Sequence, residues 1–126
     1  MAFVLVVDDD PVFREIATEV LAQGGHEVAS ADDGARAVAA AGGRRPDLAI
    51  VDMLMPERDG IETIGDLRRR WPTIKVLAVS AGARLLEADL LLRAAKTLGA
   101  SATLRKPVGK DALLAAVEGL LSQSGS

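Results

Sequence analysis

Four short stretches of this sequence end in residues that can do chemistry. Asp8-Asp9-Asp10 follows the apolar run Phe3 to Val7, and Asp52 follows Asp47 to Val51. Ser80 follows Lys75 to Val79, and Lys106-Pro107 follows Ala102 to Arg105. Each has an ordinary reading by itself. An acidic triplet ahead of Pro11 suits a helix cap and complements the helix dipole. Asp52 precedes Met55-Pro56 and Asp59-Gly60, as a turn residue would. Ser80 suits a strand end, and Lys106 alone reads as a solvated lysine. Their convergence from separate segments is what points to a site.

The chemistry of such a site follows from charge. If Asp8, Asp9 and Asp52 meet, two carboxylates about 4 Å apart repel by about 4 kcal/mol at an effective dielectric of about 20. A proton, a lysine or a metal ion must offset that repulsion. An all-oxygen donor set favours a hard cation, and a few carboxylates with water suit Mg²⁺, with Mn²⁺ as a substitute. A cation beside a carboxylate and a lysine also suits phosphate oxygens.

The elements that must position these residues alternate. Phe3 to Val7 is a continuous apolar run, as a strand buried on both faces requires. Asp10-Pro11 reads as N-cap and first helical residue, with Phe13, Ile16, Ala17, Val20 and Leu21 following at helical spacing and Gly24-Gly25 as the stop. The same reading gives strands at His26 to Ala31, Asp47 to Val51, Lys75 to Val79 and Ala102 to Arg105. It gives helices at Ala35 to Ala41, Ile61 to Arg70, Leu86 to Leu98 and Lys110 to Leu121. His26 to Ala31 is the more polar strand and is placed toward an edge. This β-α alternation predicts a doubly wound five-stranded parallel sheet with helices on both faces. In such sheets ligands sit at the carboxyl ends of the strands, where all four chemical positions fall.

Composition excludes several function classes. The chain has 126 residues, which suits one domain over 1–126, with Ser122 to Ser126 as a frayed tail. A hydrophobic content of 49% is enough for a core, and a net charge of -3 argues against broad electrostatic binding to nucleic acid or anionic lipid. There is no cysteine, which removes disulfides, thiolate metal sites and thiol nucleophiles. No apolar run approaches the roughly 20 residues of a membrane helix, so no membrane insertion is expected. Met1-Ala2-Phe3 lacks the basic segment of a signal peptide, so a cytoplasmic location is expected.

The stretches VVDDD (Val6 to Asp10), DLAIVDMLMPERDG (Asp47 to Gly60), VLAVSA (Val76 to Ala81) and LGASATLRKPV (Leu98 to Val108) closely resemble the receiver domains of two-component response regulators, over essentially the whole chain. The resemblance implies a flavodoxin-like strand order 2-1-3-4-5. It implies that Asp52 accepts a phosphoryl group from a histidine kinase or a histidine phosphotransfer protein, and that phosphorylation switches binding to a downstream protein. Asp9, Asp52 and the backbone carbonyl of Leu54 would hold Mg²⁺, with Asp8 assisting through water. Ser80 would hydrogen-bond the phosphoryl group, Lys106 would contact it as a cation, and the Lys106-Pro107 bond would be cis. Such a protein assists its own phosphorylation and dephosphorylation but is a signalling phosphoacceptor, not a metabolic enzyme.

Other readings turn on particular residues. A receiver taken from a longer regulator with a separate output domain would look the same. A Mg²⁺-dependent aspartyl-phosphate phosphatase usually carries an acid two residues after its nucleophile, where this chain has Leu54. The sequence also departs from the family. The position three before the lysine, commonly aromatic, is Thr103, the aromatic after Lys-Pro is replaced by Val108, and Ser80 to Gly99 is longer than usual. Activation is therefore expected to work through Ser80 and a hinge at Ala81-Gly82-Ala83, with Leu85 or Leu86 moving inward. His26, Trp71 and Arg68-Arg69-Arg70 are expected to serve packing or solvation.

Overall fold

The computed structural model describes residues 2–53, 60–80, 93, 96–97 and 99–122. Five strands, β1 (Phe3–Val7), β2 (Glu27–Ala31), β3 (Leu48–Asp52), β4 (Lys75–Ser80) and β5 (Ala102–Arg105), form one sheet in the order β2-β1-β3-β4-β5. All neighbouring pairs are parallel. Four helices have defined bounds: α1 (Pro11–Gln23), α2 (Gly34–Ala40), α3 (Gly60–Arg70) and α4 (Lys110–Ser122). The helix read from the sequence at Leu86 to Leu98 falls largely outside the described residues, of which Arg93, Lys96 and Thr97 are helical.

Alternation along each strand makes the sheet two-faced, because successive side chains point to opposite sides. Phe3, Leu5 and Val7 of β1, Ala49 and Val51 of β3, and Val76 and Ala78 of β4 pack with Ala37, Ile64, Leu67 and Trp71. Val4, Val6, Leu48, Ile50, Leu77 and Val79 pack on the other face with Ala17, Leu21, Leu113, Val117 and Leu120. Helices α2 and α3 thus cover one face and α1 and α4 the other, as the apolar runs of β1 and β3 require. Burying one Leu, Ile or Val stabilises by about 1.5–3 kcal/mol, so these two layers provide the main driving force. The polar strand β2 lies at an edge, as expected.

Several boundaries differ from the sequence reading by one residue. Strand β2 begins at Glu27, since the His26 amide donates to the Leu21 carbonyl of α1 at 3.0 Å, and the His26 ring acts as a clasp. The Ala2 amide donates to His26 Nδ1 at 3.3 Å, and His26 Nε2 lies 3.1 Å from Glu118 Oε1 on α4. Strand β3 runs through Asp52 and β4 through Ser80, so both residues close their strands rather than follow them. Ser122, expected in a frayed tail, still belongs to α4, its hydroxyl donating to the Gly119 carbonyl at 3.0 Å. Ile16, on the expected apolar stripe, is 39% exposed, because α1 turns Ala17, Val20 and Leu21 inward instead.

Gly60 shows how tightly the end of β3 is held. A Cβ there would lie 2.5 Å from Met53 Cα and 2.7 Å from the Asp52 carbonyl oxygen. Both are backbone atoms and cannot swing aside. Gly60→Ala is therefore expected to lose about 1–3 kcal/mol of unfolding free energy, as overpacked sites do. Urea denaturation of the purified variant measures this, and a midpoint equal to wild type would contradict the contact.

Candidate functional site

The carboxyl ends of β1, β3, β4 and β5 converge, and the ladder continues past the last strand residues. The Met53 amide donates to the Val79 carbonyl at 2.8 Å and the Lys106 amide to the Ser80 carbonyl at 2.9 Å. Asp8, Asp52, Ser80 and Lys106 are thereby held at one edge of the sheet. Asp8, Asp9 and Asp52 each present a carboxylate oxygen, and these oxygens all lie within 4.8 Å of one another. Asp8 and Asp52 are buried and Asp9 is exposed, so the cluster has one open side. An all-oxygen set with this spacing fits a hard divalent cation.

The acidic triplet divides its work. Asp10 is the N-cap of α1, its side chain accepting from the Val12 amide at 2.9 Å, with Pro11 as the first helical residue. Asp8 is fixed on every side. Its amide donates to the Ala31 carbonyl at 3.1 Å, and its carbonyl accepts from Arg14 Nη1 at 2.7 Å. Its Oδ1 accepts from the Asp10 amide at 2.9 Å. Its Oδ2 accepts from Lys106 Nζ at 2.6 Å, with the two side chains 1% and 13% exposed. The lysine therefore supplies the cation that the crowded carboxylates need.

Lys106-Pro107 is cis, as the resemblance implied. The Ser80 hydroxyl is buried and has no hydrogen-bond partner among the described residues. A buried hydroxyl left unsatisfied costs about 1–3 kcal/mol, which an acceptor from outside the described residues would recover. Thr103 is half-buried in β5 opposite Ala78. Leu54, the hinge Ala81 to Ala83, and Leu85 and Leu86 lie outside the described residues.

Two contacts were not legible beforehand. Lys106 Nζ lies 4.3 Å from the centroid of the Phe13 ring, and Arg14 braces the Asp8 carbonyl. Their only prior signal was a place in the first turn of the helix after the acids. One of the three arginines ending α3 also has a structural task, since Arg68 Nη2 donates to the Gly99 carbonyl at 2.7 Å. Trp71 is buried in the core, as expected of a packing residue.

A family model of the response regulator receiver domain matches residues 4–118. The chain belongs to that family. It is 39% identical over 110 residues to a response regulator receiver protein of Anaeromyxobacter, covering 87% of this chain and 44% of that one. Among solved structures, the chemotaxis protein CheY4 of Vibrio cholerae superposes with a TM-score of 0.82 at 30% identity, over 95% of this chain and 98% of that one. The receiver domain of NtrX from Brucella abortus gives 0.86 at 28% identity, over 96% and 99%. This receiver domain spans 27% to 51% of the length of the first curated relatives it matches. No helix among its described residues is long and apolar enough to cross a membrane.

The Asp8–Lys106 pair yields a test in metal-free buffer. Removing one partner of a buried pair typically costs about 3–5 kcal/mol, because the other charge is stranded. Lys106→Met in EDTA is expected to lose about 3 kcal/mol by urea denaturation, and Asp8→Asn added to it is expected to recover most of the loss. Additive losses in the double variant would show that the pair carries no coupling.

Proposed function

We propose that this receiver domain takes a phosphoryl group from a phosphohistidine donor onto Asp52 and changes its protein partners as a result. The observation that carries the reading is the buried Ser80 hydroxyl, without a partner among the described residues, at the same sheet edge as the carboxylate cluster and Lys106. A phosphoryl oxygen is the acceptor that this donor lacks. In the proposed step an Asp52 carboxylate oxygen attacks phosphorus in line. The P–N bond of the donor breaks, its electron pair stays on the imidazole, and that ring leaves neutral with a proton on its other nitrogen. Lys106 and Ser80 meet the phosphoryl oxygens as cation and hydrogen-bond donor. Asp9, Asp52 and the Leu54 carbonyl would hold Mg²⁺ or Mn²⁺, with Asp8 assisting through water. When bound, that ion supplies neutralisation of charge on the transferring oxygens.

The donor is a histidine kinase or a histidine phosphotransfer protein, and α1 offers it a surface. Val12 is 60% and Ile16 39% exposed. Both border a cavity of about 350 Å³ that is also lined by Phe13, Lys106, Pro107 and Val108. Exposed apolar side chains beside the reacting group suit a docking helix. The chain then acts as a cytoplasmic signalling protein, with neither nucleic acid nor membrane as its direct partner. The greater length of its curated relatives favours a second reading, in which the same chemistry controls an output domain in a longer regulator.

Two outcomes follow. With acetyl phosphate and Mg²⁺, intact mass is expected to show one added phosphoryl group that is lost in mild base, and Asp52→Asn is expected to gain none. Equal labelling of both proteins would overturn the assignment. Separately, a ligand at 100 times its dissociation constant stabilises a fold by about 2.7 kcal/mol. Thermal melts are accordingly expected to rise with millimolar Mg²⁺ in wild type and much less in Asp9→Ala. A wild-type melt indifferent to Mg²⁺ and Mn²⁺ would count against the cation site.

A further inference from the structure

Lys106 reaches the cluster from the far end of the chain, and two groups receive its ammonium. One is the Asp8 carboxylate at 2.6 Å, and the other is the face of Phe13, with the ring centroid 4.3 Å from Nζ. Phe13 stands in the first turn of α1 and packs against the core layer beneath that helix. Its ring also lines the cavity beside the site. The chain holds only two phenylalanines, one tryptophan and no tyrosine, so an aromatic face at this point is a sparing use of ring surface.

The two contacts do different things. A lysine stem has several rotatable bonds, and fixing it costs rotamer entropy. The Asp8 carboxylate fixes one direction of the ammonium. The ring fixes another, because the negative face of a π-system attracts a cation over its centroid. Asp8 is also a member of the cation-fitting cluster, so its charge is shared whenever that cluster is occupied. The ring face has no such competitor. It keeps the ammonium beside the site when the pull of Asp8 is divided.

We propose that Phe13 is a positioning residue for phosphoryl transfer, its ring face holding the Lys106 ammonium in place before the phosphoryl group arrives. This rests on the reading above, in which Lys106 meets the phosphoryl oxygens. Position 103, three residues before the lysine, is Thr here, and the ring that touches the lysine comes from α1.

Fluorination of the ring separates electrostatics from packing, because each fluorine withdraws density from the face with little change in size. Position 13 of the full chain is replaced by 4-fluoro-, 3,5-difluoro- and 3,4,5-trifluorophenylalanine through codon suppression. Labelling of Asp52 by acetyl phosphate is then timed at saturating Mg²⁺. The expected result is a stepwise fall in kcat/KM, about three- to ten-fold across the series. Phe13→Leu falls as far as the trifluoro protein, and Phe13→Trp stays near wild type. In parallel, NMR of the unphosphorylated protein is expected to show the Lys106 ε-methylene protons shifted upfield by the ring current, and unshifted in Phe13→Leu. A flat fluorine series with a labelled wild type overturns the Phe13 proposal alone, even if Phe13→Leu is slow, because a packing role alone ignores ring density. A wild type that takes no label at Asp52 overturns the functional reading and this proposal with it.

Discussion

Three carboxylates whose oxygens lie within 4.8 Å of one another repel, and the polar end of this domain is arranged around that repulsion. At about 4 Å each pair costs about 4 kcal/mol at an effective dielectric of about 20, a large part of a typical domain stability of about 5–15 kcal/mol. The protein's own offset is Lys106, whose ammonium sits 2.6 Å from Asp8 Oδ2. Around that pair Arg14 and the Ala31 carbonyl pin the Asp8 backbone and the Asp10 amide holds its Oδ1, so Asp8 has little freedom to relax away. A site built this way is predisposed toward a cation, because further positive charge relieves what the lysine leaves over.

Holding the acids together falls to the sheet. Strands β1 and β3 are buried along their whole length, and their parallel register brings Val7 beside Val51, so the residues that follow meet at one edge. Two apolar layers, one with α2 and α3 and the other with α1 and α4, make that edge stiff. Gly60 against the Asp52 carbonyl and the Ser80 carbonyl on the Lys106 amide extend the stiffness to the reacting groups. On the proposed function, this rigidity lets a short side chain such as Ser80, buried and without a partner among the described residues, wait for an acceptor arriving from outside.

Much of this was legible in the sequence because it is local. The runs Phe3 to Val7 and Asp47 to Val51, the Asp10-Pro11 cap and the glycine stops are properties of neighbouring residues, and they settle into the strands and helices described, while the strand order came from the family resemblance. The convergence of Asp8, Asp9 and Asp52 followed from the rule that parallel strands share a carboxyl edge. What could not be read was the pairing across distance. The Phe13 ring under Lys106, Arg68 on the Gly99 carbonyl, and Lys75 Nζ on the Leu120 carbonyl at 2.6 Å each depend on how helices rotate against the sheet. Periodicity gives a helix its apolar stripe but not its final rotation, which is why Ile16 turned outward while Ala17 turned in.

On the proposed function, Asp52 is the carboxylate that forms the bond to phosphorus, and Asp8 and Asp9 serve the cation. Borohydride reduction reads this directly, since an aspartyl phosphate is reduced to homoserine while a free carboxylate is not. The protein is phosphorylated by a purified histidine kinase, quenched, reduced and mapped by peptide mass spectrometry. Homoserine is expected at position 52, with unchanged aspartates at 8 and 9. Homoserine at Asp8 or Asp9, with Asp52 intact, would contradict it.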